Sequence, residues 1–262
     1  LICWRVRSCR AFVRKMKTKQ FQPRFYRNWL DAKELFSKRI AVGESDILIS
    51  SDVDLDEDFL KERISDYRKN IEKYILCERS FSTSLTPVRV SKGAPLIVKD
   101  MAQAAKRTGV GPMAAVAGAI ADYLAKDLKG MTKELIIENG GDIFLKTRAE
   151  RRVGIYAGSS KLSGKIILEI DPKKTPLGIC TSSGTVGHSL NFGITDATVI
   201  IAKSATLADA AATATSNIVK IPDDIKHAIN FAKSVEGVSA VMIIVKDLLS
   251  AWGDIKIDKA KR

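Results

Sequence analysis

One stretch constrains this chain more than any other: Ser204-Ala205-Thr206-Leu207-Ala208-Asp209-Ala210-Ala211-Ala212-Thr213-Ala214-Thr215-Ser216-Asn217. Alanine enters a helix at no side-chain entropy cost, so a helix is predicted. It follows an apolar run, residues 197–203, that reads as a buried strand. Helical spacing puts Asp209 and Thr213 on one face, which Ser216 and Asn217 continue. Their small neighbours let another backbone or a ligand come close. Carboxylate and hydroxyl are hard oxygen donors of the kind that suit Mg²⁺. A local reading competes. Thr206 and Asp209 fit a T-x-x-D capping box, in which Asp209 would satisfy amides of its own first turn. On spacing alone the cap is favoured.

Composition narrows the class. The chain has 262 residues, 45% hydrophobic and 28% charged, which suits a globular protein. We expect one domain over residues 16–262, built of two intimate halves. No apolar run approaches the ~20 residues of a membrane span, so no membrane partner is expected. Residues 1–15 are interrupted by Arg5, Arg7, Arg10 and Arg14 and do not read as a secretory signal. They are expected to be a basic arm outside the fold, with Met16 as the working start; a transit-like segment is the alternative. Five of the +13 formal charges lie in that arm, leaving +8 for the remainder. The aromatic content is 6%, and no basic block is interleaved with aromatics. The charge therefore reads as solubility and a preference for anionic small molecules rather than for nucleic acid. Cys3, Cys9, Cys77 and Cys180 form no C-x-x-C pair and no zinc spacing. Cys77 and Cys180 read as reduced thiols of a cytoplasmic protein.

Along the chain, residues 21–51 read as one or two strands. Asp54, with Glu57 three residues on, is expected to open a helix whose apolar stripe is Leu60, Ile64, Tyr67, Ile71 and Tyr74. Pro95 and Gly109 bracket a second helix, and Pro112 starts a third. Between two β-type runs, Asn139-Gly140-Gly141-Asp142 signals a tight hairpin, because Asn and Gly tolerate positive φ. The same turn could bring bare backbone and a carboxylate against a ligand. The segment 180–193 is dense in hydroxyls and glycine. It includes Thr181, Ser182, Ser183 and Gly184 and holds His188, one of two histidines. Such a loop can cradle phosphate through its amides. Residues 240–245 read as the last strand, with a loose polar tail from Asp254. The order of elements, with short turns between the middle strands, predicts α+β: antiparallel sheet with helix pairs packed on it.

Three pieces of this chain stand in the order of one known family. Asn139-Gly140-Gly141-Asp142-Ile143 resembles its N-x-G-G-D-I turn. Thr181-Ser182-Ser183-Gly184 resembles its T-S-G loop with one extra Ser, and 208–214 resembles its A-D-A-x-A-T-A segment. The family is ApbE-like, the FAD:protein FMN transferases once called thiamine biosynthesis lipoproteins. The likeness is strongest to the uncharacterised cytosolic branch and spans about residues 111–217. It implies a duplicated T-fold-like architecture with flavin between the halves. It also implies Mg²⁺ held by Asp209, Thr213 and the backbone carbonyl of Ala117. Two departures stand out. The I-A-K-G segment falls on Val116-Ala117-Gly118-Ala119 and lacks the lysine. The H-I-I-D-P-x-T-G segment falls on His188-Ser189-Leu190-Asn191-Phe192-Gly193 and lacks the acid.

The expected ligand is therefore FAD or FMN, or a nucleotide-like cofactor, with a homodimer as the candidate assembly. In the enzyme reading, Mg²⁺ assists cleavage of the FAD pyrophosphate with transfer of FMN. His188 is then the base, 181–184 bind phosphate and 139–142 contact the nucleotide. In the alternative, the same pocket binds a flavin or related cofactor without turnover.

Overall fold

The computed structural model describes Arg27, Trp29, Ala32 and residues 34–186 and 190–259. The basic arm and Met16 lie outside the described residues. The centre of the fold is an eight-stranded sheet in which every neighbouring pair is antiparallel. Its first half holds β1 (Phe36–Val42), β2 (Ser45–Ser51), β3 (Leu135–Asn139) and β4 (Asp142–Lys146). Its second half holds β7 (Leu177–Ser182), β8 (Ala197–Ala202), β9 (Val238–Val245) and β10 (Leu248–Gly253). Strand order across the sheet is β1-β2-β3-β4-β7-β8-β9-β10. Between β4 and β7 the chain forms β5 (Arg151–Gly154) and β6 (Ile166–Ile170). These join β11 (Lys256–Lys259) in a second sheet of order β11-β6-β5.

Each half of the large sheet has the same plan: two strands, helices, two strands. In the first half the helices are α1 (Glu57–Cys77), the short α2 (Ser80–Thr83), α3 (Leu96–Thr108) and α4 (Val116–Asp127). In the second they are α5 (Ala205–Ile218) and α6 (Ile225–Ser234). The α+β architecture expected from the sequence is present, with the helices on one face of the sheet.

The central strands read as unbroken apolar runs because both of their faces are covered. Ile200, Val241, Ile243 and Val245 face the helices, in a cluster with Leu60, Ile64, Met101 and Leu124. Val199, Ile201, Met242 and Ile244 face the small sheet, in a cluster with Val153, Leu168 and Ile170. The α1 stripe is buried at Leu60, Ile64, Tyr67 and Ile71, as its spacing requires.

Some local expectations are corrected. The cap of α1 is Asp56, whose carboxylate accepts from the Phe59 amide at 2.7 Å; Asp54 instead pairs with Lys38 at 2.8 Å. The polar tail is not loose over residues 256–259. There β11 pairs with β6; a Lys256–Glu169 ion pair ties these two strands, and Arg152 reaches Asp258 (2.8 Å) from β5 beyond. An edge strand held by charge carries no apolar signature, so it escapes a search for hydrophobic alternation. The turn Lys246–Asp247 likewise adds β10 beyond the last apolar run.

Two glycines fix how closely α5 sits. A Cβ on Gly178 of β7 would lie 2.4 Å from the backbone nitrogen of Ala205, and one on Gly118 of α4 would lie 2.2 Å from the Ala205 carbonyl oxygen. Gly178→Ala should therefore force α5 off the sheet and destabilise by about 1–3 kcal/mol, as overpacking does. Gly93→Ala, which meets open space, should stay within about 0.5 kcal/mol. Denaturant midpoints of the two variants check the contrast; equal midpoints would show that Gly178 does not set the helix position.

Candidate functional site

The hairpin forms as its sequence predicts. Asn139 and Asp142 pair directly, and Gly140 and Gly141 make the turn with φ of 73° and 102°. The Gly141 amide donates to the Glu138 carboxylate at 2.8 Å, which fixes the turn against the strand. Both Asn139 and Asp142 are buried. The Asn139 side-chain amide donates to the Ala117 carbonyl at 3.1 Å, linking the hairpin to the start of α4.

Asp209 reaches the same place from α5. Its carboxylate accepts from the Gly118 amide at 3.0 Å, and the Ala117 amide also favours its charged form. Gly118 is the third residue of α4, so its amide has no partner within that helix. Asp142 lies close enough to act on Asp209 through its charge, and it stands opposite Cys180 in the β4–β7 pairing. Ala117, Asn139, Asp142 and Asp209, separated by up to 92 positions in the sequence, thus meet at one point. Thr213 follows one turn later on α5 and is buried.

The T-x-x-D capping box is not formed. The α5 cap is Ser204, whose hydroxyl accepts from the Leu207 amide at 3.2 Å. The amides of Ala205 (3.0 Å) and Thr206 (2.8 Å), and the Thr206 hydroxyl (2.6 Å), donate to Asp122 of α4. Asp122 is the functional neighbour that sequence reasoning missed. Its signal was available: it is the only acid within residues 112–126, and it stands four residues after Gly118 as Asp209 stands four after Ala205.

The hydroxyl-rich loop lies beside the C-terminal end of β7. Thr181 and Ser182 are strand residues paired with Val199 and Thr198. The Asn191 amide donates to both Ser182 and Ser216 at 2.8 Å, and Thr195 and Ser216 hydroxyls meet at 2.6 Å. The Ser183 hydroxyl accepts from the amides of Thr185 and Val186, and the Gly184 amide donates to the Thr195 carbonyl at 2.9 Å. Several amides a phosphate would need are thus engaged within the loop. Because Ser216 shares a helix face with Asp209 and Thr213, α5 runs between hairpin and loop. His188 lies outside the described residues, with Gly187 and Ser189.

Burial, then the neighbouring Asp142 charge, pushes the Asp209 carboxyl well above its ordinary value. Burial also pushes the Cys180 thiol up, aided by Asp142 and Asp209. Cys180 therefore stays a thiol, donating to the Ala205 carbonyl at 3.3 Å, and is no nucleophile. Burial raises Asp122 as well, against the three donors that favour its charge. Among the described residues no group of three or more His, Cys, Asp or Glu is placed to hold a metal. Any ion here would complete its shell with hydroxyl, carbonyl, water or ligand oxygen. Among the same residues no helix is long and apolar enough to cross a membrane.

Comparison with known proteins identifies the family and the fold. A family described as "AbpE bacteria" matches residues 27–251. A "UPF0280 protein" of Methanococcus aeolicus is 43% identical over 84% of this chain and 91% of its own length. That of Methanocaldococcus jannaschii is 42% identical, with the same coverage. Similar solved structures include the flavinyl transferase ApbE of Pseudomonas stutzeri in its apo form (TM-score 0.59, 12% identity, 84% of this chain and 94% of that one). The flavin transferase ApbE of Vibrio cholerae is another (TM-score 0.57, 14% identity, 84% and 97%). At such identities these structures establish the shared fold.

The Asp209 shift carries a pH signature. An acid raised on folding binds its proton more tightly folded than unfolded. Its stabilisation is complete below the ordinary value of 3.8 and is lost as pH rises through the folded value. Asp209→Asn has no such proton to lose. With chelator present, its melting temperature should fall less than that of wild type between about pH 4 and about pH 8. An equal or steeper fall would show that Asp209 does not carry the buried proton.

Proposed function

The chain belongs to the "AbpE bacteria" family, and from that membership we propose that it binds a flavin nucleotide, FAD or FMN, with Mg²⁺ held at Asp209. The observation that carries this reading is the convergence of Asp209, Asp142, Asn139 and the Ala117 backbone at one point. The solved relatives named above are called flavin transferases. The donor set suits the ion: two neighbouring carboxylates repel one another, and a dication relieves that repulsion. Mg²⁺ takes few protein ligands and keeps water or phosphate oxygen, so two carboxylates and a hydroxyl leave room for such oxygens.

In this reading Asp209 and Thr213 hold the ion together with the Ala117 carbonyl. When bound, Mg²⁺ neutralises phosphate charge and orients the group. Asn139 fixes the Ala117 carbonyl, the 139–142 turn faces the nucleotide, and 181–184 lie towards its phosphates. His188 is the proposed base, taking the proton of a hydroxyl or water whose oxygen bonds to the FMN phosphorus while the FAD pyrophosphate bond breaks and AMP leaves. The free thiols of Cys77 and Cys180 suit a reducing compartment, and we place the protein in the cytoplasm.

A second reading, a flavin carrier without turnover, draws on Gly118. It occupies the third position of the V-A-G-A segment, where the resemblance calls for lysine. Any side chain there would strike the Ala205 carbonyl.

Flavin titration with and without Mg²⁺ tests both readings. Asp209→Asn should fold within about 1 kcal/mol of wild type, since an Asn can keep the helix-capping contact. It should lose Mg²⁺-dependent flavin affinity at least tenfold, and adding Thr213→Val should change little, because both residues serve one ion. Flavin binding indifferent to Mg²⁺, or unchanged in Asp209→Asn, would rule out the metal at this position. Mass spectrometry of FAD incubated with the protein separates the readings: transfer predicts FMN release or attachment that His188→Ala abolishes, and a carrier leaves FAD intact.

A further inference from the structure

A cavity of about 590 Å³ opens at the other end of the central strands. It touches Leu135 at the start of β3, Lys146 at the end of β4, Pro176 just before β7 and Lys203 just after β8. The hairpin and Ser182 sit at the opposite ends of those strands. The four residue steps of β3 alone separate the two places by about 13 Å. Leu128, Leu135, Phe144 and Leu207 give the cavity an apolar floor.

Around that floor stand five cations, Arg107, Lys126, Lys129, Lys146 and Lys203, against two carboxylates, Asp100 and Asp122. Both carboxylates are engaged. Asp100 accepts from the Tyr123 hydroxyl at 2.8 Å and from Lys126 at 3.3 Å. Asp122 holds the first amides of α5. Arg107 is tied to Glu236. Lys146 donates to the Thr132 carbonyl at 3.1 Å and has no carboxylate partner among the described residues. Lys129 and Lys203 have no carboxylate within ion-pair reach among the described residues, and both are exposed. Three lysine charges thus face an apolar pocket of ligand size, and no carboxylate among the described residues neutralises them. The α5 amides do not add to this, since Asp122 already takes them.

We propose that this cavity binds a small organic anion with an apolar body and at least two negative charges. The floor takes the body, and Lys129, Lys146 and Lys203 take the charge. This site is independent of the flavin reading, which concerns the other end of the strands.

Calorimetric titration of the full chain with 1-naphthyl phosphate tests it. One site per chain is expected, with affinity that falls as salt rises. The double substitution Lys129→Glu and Lys203→Glu should weaken binding at least tenfold. Inorganic phosphate and neutral 1-naphthol should each bind at least tenfold more weakly than the probe, because each satisfies only half of the site. Asp209→Asn should leave probe affinity unchanged, whatever it does to flavin. Lys129→Gln and Lys203→Gln, tested singly, carry the same expectation if the double variant melts early. Several results would overturn the proposal: no probe binding at about millimolar concentration, unchanged affinity after the lysine substitutions, inorganic phosphate binding as tightly as the probe, or probe binding lost in Asp209→Asn.

Discussion

The structure depends on an exchange of carboxylates between two helices. Asp122 of α4 takes the first two amides of α5, and Asp209 of α5 takes amides near the start of α4. Gly118 and the start of α5 are buried against other chain segments, where water cannot satisfy their amides. Each unmet buried donor would cost about 1–3 kcal/mol, so removing either aspartate leaves a deficit larger than any single apolar contact nearby. The exchange needs the helices very close. Alanines along α5, with Gly118 and Gly178 facing Ala205, remove the side chains that would hold them apart.

The same exchange concentrates negative charge. Asp122 and Asp142 both act on Asp209, and with Asp209 they act on Cys180. An alanine-rich surrounding offers few dipoles to offset this. The packing that builds the helix layer therefore leaves a place that favours a proton or a cation. Stability and the proposed metal site share one set of residues. Asp209 caps a helix and is also the strongest oxygen donor facing the hairpin.

How much of this was legible depended on range. The 139–142 hairpin, the Gly109 end of α3 and the helical face of Asp209, Thr213 and Ser216 follow from residues within a few positions of each other, and all appear where expected. The sequence offers Asp209 as a metal ligand or as a cap of its own first turn; its carboxylate accepts from Gly118, 91 positions away on α4, rather than from that turn. No local pattern distinguishes a carboxylate that caps its own helix from one that caps another. Asp122 was missed for the same reason, although an acid within an alanine and leucine segment already asked for a donor. Strand β11 was missed because ion pairs hold it rather than apolar burial.

The departures from the transferase pattern also find structural reasons. Gly118 cannot carry a side chain while α5 lies where it does, so the missing lysine and the close α4–α5 contact are one fact. Asn191, at the position of the missing acid, is a tie rather than a gap. Its amide group spans Ser182 and Ser216, and its oxygen accepts from the Gly193 amide at 2.7 Å. An aspartate there has no donor to offer either serine, and its charge would add to those of Asp142 and Asp209. Gly193 itself lies so close to the Ser216 carbonyl that a Cβ would sit 1.9 Å from it. Both substitutions thus let elements close onto α5: α4 at its start and the 190–195 segment at its end. Asp209 and Thr213 lie on α5 between these two contacts, so an ion or nucleotide held there, as proposed above, would meet walls set by Gly118 and Gly193.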